Sequence, residues 1–223
     1  GFTGNVVATN FDYEYGLTGF VLGTGTQILN STLNPQPITG LLPSTGYQFY
    51  VRNKCSSGEN SPWAGPFNWN TKPKGTICAD PLIVSALPYQ VAADNTNNYF
   101  TETYTTQATS CGATPAGTNY LAGNSVFYSY TATTSGLISI TMTPLGATNT
   151  NSSVFVFSGC PVGGAGAPCV AGLANSNANV RVVNLTVTQD QTYIIVVSSS
   201  ATTPAIAYSL VIQQENCLPK PTA

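Results

Sequence analysis

Asp12 and Glu14 stand two residues apart in Phe11-Asp12-Tyr13-Glu14-Tyr15, a segment that alternates acidic and aromatic side chains. Two carboxylates on one face are the minimum equipment for general acid–base chemistry, provided a cleft raises the pKa of one of them. Alternation at period two instead places the pair on an outward strand face, where cross-strand ion pairing is worth ~0.2–1 kcal/mol per exposed pair. Histidine is absent from all 223 residues, which removes Ser-His-Asp and Cys-His nucleophile systems from this chain. The turn Asp94-Asn95-Thr96-Asn97-Asn98 could offer hard oxygens to Ca²⁺ through Asp94, Asn95 and Asn97, with one carboxylate in support. Gly163-Gly164-Ala165-Gly166 precedes no helix and makes no phosphate cradle. Tyr99, Phe100 and Tyr104 lie in a long irregular stretch before Cys111 and could stack on sugar rings. These residues do not add up to an enzyme, and none is expected.

The six cysteines are Cys55, Cys78, Cys111, Cys160, Cys169 and Cys217. None forms a C-x-x-C pair and no histidine could complete a zinc site, so disulfides and an oxidising compartment are expected. Cys160 and Cys169 bracket Pro161-Val162-Gly163-Gly164-Ala165-Gly166-Ala167-Pro168, a loop with no other means of order, and are expected to pair. Cys78 with Cys111 would close the start of a second domain. Cys55 and Cys217 are left over.

Hydrophobic residues make up 42% of the chain and charged residues 6%, so its surface must be built of Thr, Ser, Asn and Gln, as suits an extracellular β-protein. A net charge of −2 with six dispersed basic residues argues against nucleic acid or an anionic membrane as partner. No apolar run reaches the roughly 18 residues of a membrane span.

The elements are strands. Phe11, Tyr13 and Tyr15 share one face; Tyr47, Phe49 and Val51 alternate with Gln48, Tyr50, Arg52 and Lys54; Phe67 and Trp69 alternate in a last strand of the first domain. Turns are expected at Gly23-Thr24-Gly25, Asn34-Pro35-Gln36-Pro37 and Ser56-Ser57-Gly58. After a linker at Lys72-Pro73-Lys74-Gly75-Thr76, strands are expected at 125–131, 137–143, 153–158, 180–188, 193–199 and 205–213. No segment keeps helical periodicity over about 11 residues. The fold class read here is all-β, two antiparallel sandwiches in tandem: domain 1–73, domain 74–216 as a jelly roll, and 217–223 as the start of a further module.

The segment Leu42-Pro43-Ser44-Thr45-Gly46-Tyr47-Gln48-Phe49-Tyr50-Val51 resembles the tyrosine corner of a fibronectin type III module, and Ser61-Pro62-Trp63 with Phe67, Trp69 and Thr71 resembles its closing loop and last strand. The resemblance covers about 10–71. It implies that Tyr47, Phe49, Val51 and Trp69 define the fold, and that the strand of Asp12 and Glu14 neighbours that of Arg52 and Lys54. It also implies that the strands such a module places before Tyr47 are missing, so that the chain begins inside a module. In bacterial arrays of this type an opening Cys pairs with one after the Tyr strand. Cys55 would then seek a partner upstream, and Cys217-Leu218-Pro219 one downstream; a Cys55–Cys217 or Cys78–Cys217 bond is the alternative.

In the second domain, Val126-Phe127-Tyr128-Ser129-Tyr130, Gly136-Leu137-Ile138-Ser139-Ile140, Val154-Phe155-Val156-Phe157-Ser158-Gly159-Cys160 and Gln191-Thr192-Tyr193-Ile194-Ile195-Val196 resemble the bacterial pre-peptidase C-terminal domain, a non-catalytic attachment similar to carbohydrate-binding sandwiches. Together the two resemblances imply a stalk or filament segment of a large, tandem-repeat surface adhesin of gliding bacteria, exported by the type IX route. Its partners would be neighbouring modules or subunits, and surface glycans. A carbohydrate-binding accessory region of a secreted hydrolase is the alternative.

Overall fold

The computed structural model describes residues 8–55, 58–100, 119–162 and 167–215. Cys111, Cys217, Tyr104 and the segment 217–223 lie outside the described residues. The chain divides into two compact units, Gly1–Pro73 and Lys74–Ala223, and the regular secondary structure of its described residues is almost entirely antiparallel strand.

In the first unit β1 (Ala8–Leu17), β2 (Thr26–Ser31), β3 (Gly46–Cys55) and β4 (Ala64–Asn70) form one four-stranded antiparallel sheet in the order β2-β1-β3-β4. Pairing Tyr13 with Val51, Tyr15 with Phe49 and Phe49 with Phe67 puts the alternating apolar residues on a single face. There Tyr47 stacks on Trp69 at 5.5 Å between ring centroids, and Phe49 meets Trp69 edge-on at 5.6 Å. Tyr47 and Val51 are buried, Phe49 and Trp69 are half-buried, and Phe67 is 47% exposed. The opposite face is covered, contrary to the open face expected from alternation. Phe20 packs edge-on against Tyr50, and Trp63 lies over the Arg52 guanidinium at 4.5 Å.

In the second unit one sheet runs β10-β9-β12-β7-β5 and the other β11-β8-β13-β6. The strands are β5 (Leu82–Val84), β6 (Tyr89–Asn95), β7 (Val126–Thr131), β8 (Gly136–Pro144), β9 (Ser152–Phe157), β10 (Cys169–Asn175), β11 (Arg181–Val187), β12 (Thr192–Ser199) and β13 (Ala207–Gln214). All pairings are antiparallel except β5 with β7, which is parallel. The main core joins Tyr128, Val154, Val156, Ile195 and Val197 of the first sheet to Ile138, Ile140, Met142, Leu210 and Ile212 of the second. A second cluster covers the outer face of the five-stranded sheet, where Phe127, Phe155, Phe157, Ile194 and Val196 meet Tyr120, Leu121 and Cys78. Burial on both faces explains why β9 and β12 read as unbroken apolar runs, not as alternation.

The disulfides expected from spacing are corrected. Cys78 bonds Cys160, which rules out both Cys160–Cys169 and Cys78–Cys111. Cys160 follows β9, and Cys78 lies in the segment folded onto the outer face of that sheet, so topology brings together sulfurs 82 residues apart. Cys169, in β10, packs against the same cluster. Cys55 is unpaired among the described residues.

Each unit contains a tyrosine whose hydroxyl closes a turn. Leu42 N donates to Tyr47 Oη at 3.0 Å, and Thr188 N donates to Tyr193 Oη at 3.0 Å, each five residues upstream. Tyr47→Phe and Tyr193→Phe each remove one hydrogen bond to a backbone amide, and we expect each to lower the stability of its own unit by ~0.5–1.5 kcal/mol in urea titrations. A loss below ~0.3 kcal/mol would show the bond to be incidental.

Candidate functional site

Asp12 and Glu14, the pair with the spacing for acid–base work, are each 1% exposed and serve the fold. Asp12 Oδ2 accepts from Arg52 Nε at 2.9 Å and forms an ion pair with Nη2, while Oδ1 accepts from Asn30 N at 2.8 Å. Burial pushes this carboxyl up, but the Asn30 amide and Arg52 outweigh it and hold the group below its ordinary value. Among the described residues Glu14 has no ion-pair partner. Its Oε1 accepts from Gly23 N at 2.6 Å and Gly25 N at 2.8 Å, and its Oε2 from Gln27 Nε2 at 3.0 Å, which fixes the β1–β2 turn. Gly25 is required there: a Cβ would stand 2.7 Å from the Tyr15 carbonyl oxygen.

The turn read as a calcium site is held together by its own hydrogen bonds. Asp94 Oδ1 accepts from Asn95 N at 2.7 Å, and Asn95 Oδ1 accepts from Asn97 N at 2.9 Å, capping a 3₁₀ turn at Thr96–Asn98. Asp94 Oδ2 accepts from the hydroxyls of Tyr99 at 3.0 Å and Tyr208 at 3.1 Å. The Tyr208 and Tyr128 hydroxyls share a hydrogen bond at 2.6 Å across the core, from the four-stranded to the five-stranded sheet. No group of three or more His, Cys, Asp or Glu able to hold a metal occurs among the described residues. Tyr99, named above as a possible sugar platform, is half-buried, with its ring packed on the core and its hydroxyl tied to Asp94. Phe100 is 50% exposed, and its backbone bridges Ser125.

This tyrosine chain makes a pH prediction. Burial, reinforced by the Asp94 charge, raises the Tyr99 hydroxyl far above its ordinary value. Tyr128 and Tyr208 are raised by burial as well. A phenol raised on folding contributes stability that is full below the unfolded value of about 10 and is lost as pH rises past it. Tyr128 and Tyr208, both fully buried, should together cost about 3 kcal/mol per pH unit above that point. We expect their ionisation, read by ultraviolet absorbance from about pH 9 to about pH 12, to coincide with loss of the circular dichroism of the folded state. Smooth ionisation with the fold intact would contradict the buried chain.

A charge that spacing alone did not single out is Arg181, 1% exposed at the start of β11. Its guanidinium donates to the carbonyls of Ser152, Asn175, Asn177 and Asn179 and to the Asn177 side chain. The signal in the sequence was Asn175-x-Asn177-x-Asn179-x-Arg181, a regular two-residue spacing through a turn.

A concavity lies on the apolar face of the first unit. Tyr13, Phe49 and Trp69 floor a cleft of about 340 Å³ walled by Pro35, Ile38 and Leu41, with Asn34 and Gln36 at its edge. The polar groups whose contacts are resolved there are internally committed. Tyr13 Oη donates to Leu33 O at 2.9 Å; Gln36 accepts from Ser31 Oγ at 2.6 Å and donates to Pro37 O at 2.8 Å. Of the residues that define the resembled module, Phe49 and Trp69 meet in this cleft, while Tyr47 and Val51 lie buried beside it.

Fold and site define the class: an all-β protein of sandwich type whose buried ionic groups hold strands and turns together. No family model matches the chain, and no curated protein does. Among solved structures it is similar to a periplasmic inhibitor of g-type lysozyme from Aeromonas hydrophila, at 12% identity over 60% of this chain and 96% of that one, TM-score 0.34. It is similar to part of an α-L-rhamnosidase from Dictyoglumus thermophilum, at 12% identity over 93% of this chain and 24% of that one, TM-score 0.28. A third likeness is to a carbohydrate-binding module of the β-sandwich superfamily, at 10% identity over 94% and 86%, TM-score 0.29. At these TM-scores none of the three assigns a role.

Proposed function

We propose that this chain is a non-catalytic spacer segment of a secreted or cell-surface protein, of the modular adhesin type found in gliding bacteria and exported by the type IX route. The observation that carries the reading is the use made of the buried and half-buried charges. Asp12, Glu14, Asp94 and Arg181, the groups best placed for chemistry, each bind the chain's own turns and strands. The Cys78–Cys160 bond suits an oxidising compartment, and the resemblances to fibronectin type III and pre-peptidase C-terminal modules fit a repeat-built stalk. The test is to shave intact producing cells with protease and to size the polypeptide that yields these peptides by denaturing mass analysis. Release of the peptides from a chain carrying further modules of this kind is the expected result. Recovery from the cytosol alone would overturn the proposal.

One observation favours a second reading, a carbohydrate-binding accessory role: the aromatic floor of the cleft in the first unit. Its internally bonded polar groups weaken that reading, because sugar recognition needs hydrogen-bonding groups aimed at the ligand. Glycan-array binding that disappears in Trp69→Ala would establish it over the spacer role alone.

A further inference from the structure

The contacts of Arg181 are more specific than a structural charge in a spacer requires. A guanidinium has five N–H donors in a rigid planar fork, and here five acceptors meet it. Nε donates to Ser152 O at 3.2 Å. Nη1 donates to Asn177 Oδ1 at 3.2 Å and to Asn179 O. Nη2 donates to Asn175 O at 2.9 Å and to Asn177 O at 2.5 Å. All five acceptors are neutral carbonyl oxygens, so the charge is compensated by dipoles and not by an anion. The loop is shaped for this independently of the arginine. Asn177 N donates to Asn175 Oδ1 at 3.3 Å and Asn179 N to Asn177 Oδ1 at 3.0 Å, two successive Asx turns that curl the backbone. The site also spans the sandwich: Ser152 and Asn175 belong to the five-stranded sheet, whereas Arg181 begins the edge strand of the other.

We propose that Ser152 and the loop Asn175–Asn179 form a carbonyl cage specific for a planar guanidinium cation, filled by the chain's own Arg181. The ligand class follows from the acceptors. A hard divalent ion such as Ca²⁺ takes six to eight oxygens, commonly with carboxylates among them, and among the described residues no carboxylate hydrogen-bonds or ion-pairs with this guanidinium. An ammonium, with three tetrahedral donors, cannot meet five acceptors set around a plane. With the side chain removed, the cage accepts a free alkylguanidinium.

The experiment uses the full chain and Arg181→Ala, with thermal unfolding followed by circular dichroism in millimolar 1-ethylguanidinium, ethylammonium or calcium chloride. We expect the variant to lose roughly 10 °C in Tm. Ethylguanidinium should restore much of this along a saturable curve while leaving the unsubstituted chain unmoved, and ethylammonium and calcium should restore nothing. The proposal is overturned if the variant melts with the unsubstituted chain, if ethylguanidinium shifts both alike, or if ethylammonium or calcium rescues equally well. Should Arg181→Ala not stay folded, it is refolded from denaturant with and without ethylguanidinium. Native dichroism recovered only with the ligand supports the cage, and no recovery overturns it.

Discussion

Replacing Cys78 and Cys160 together with alanine should lower the stability of the second unit by about 4.5 kcal/mol. The bond joins sulfurs separated by 82 residues, and closing so long a loop removes a large share of the unfolded chain's entropy. It also pins the covering segment, with buried Cys78, onto the outer cluster of Phe155, Phe157 and Ile194. Alanine at both positions avoids placing an unpaired hydroxyl among these rings. Guanidinium denaturation of the double variant and the unsubstituted chain, followed by circular dichroism, measures the difference. A loss under ~1 kcal/mol would mean that the outer cluster holds the segment without the bond.

Arg52→Met should cost about 3 kcal/mol, because it leaves the Asp12 carboxylate buried with the Asn30 amide as its remaining partner. The lower part of the range for broken buried pairs applies, since the Arg52 side chain is 26% exposed. The double variant Asp12→Asn/Arg52→Met should recover most of the loss, because no charge is then stranded. The acid limb of the stability profile carries a second signature. The Asp12 carboxyl lies below its ordinary value of 3.8, so its contribution is present above that pH and is lost as pH falls through the folded value. Removing Arg52 should flatten that limb. A double variant as unstable as Arg52→Met alone would show that the loss comes from the arginine's packing under Trp63 and not from the stranded carboxylate.

The parts of this fold that could be read in the sequence are those whose burial repeats locally. The six strands expected in the second domain lie within about two residues of β7, β8, β9, β11, β12 and β13, because each carries an alternating or continuous apolar run. Three strands were not legible there. β5 has only three residues, and its partner lies in parallel more than forty positions away. β6 and β10 are edge strands, and β10 reads Cys-Val-Ala-Gly-Leu-Ala-Asn, too rich in small residues to show a period. The disulfide was misread for a related reason: proximity in sequence suggested Cys160–Cys169, whereas the decisive contact is made by a segment laid across the outer face of a sheet. The Asp12 pair was legible as structural, but not as buried, since the cover comes from Phe20 and Trp63 in loops. Asp94 was legible as a turn residue. Its link through Tyr208 to Tyr128 depends on three strands from distant parts of the chain.

The measurement that bears most directly on a spacer role is single-molecule extension of the chain held at its two ends, oxidised and then reduced. The account predicts a discrete unfolding event for the second unit. It also predicts that the contour length released is greater in the reduced chain by about 265 Å, the extended length of the 82 residues locked by Cys78–Cys160 less the 5.7 Å between their Cα atoms. Extension without a discrete event, or equal lengths in both states, would contradict it.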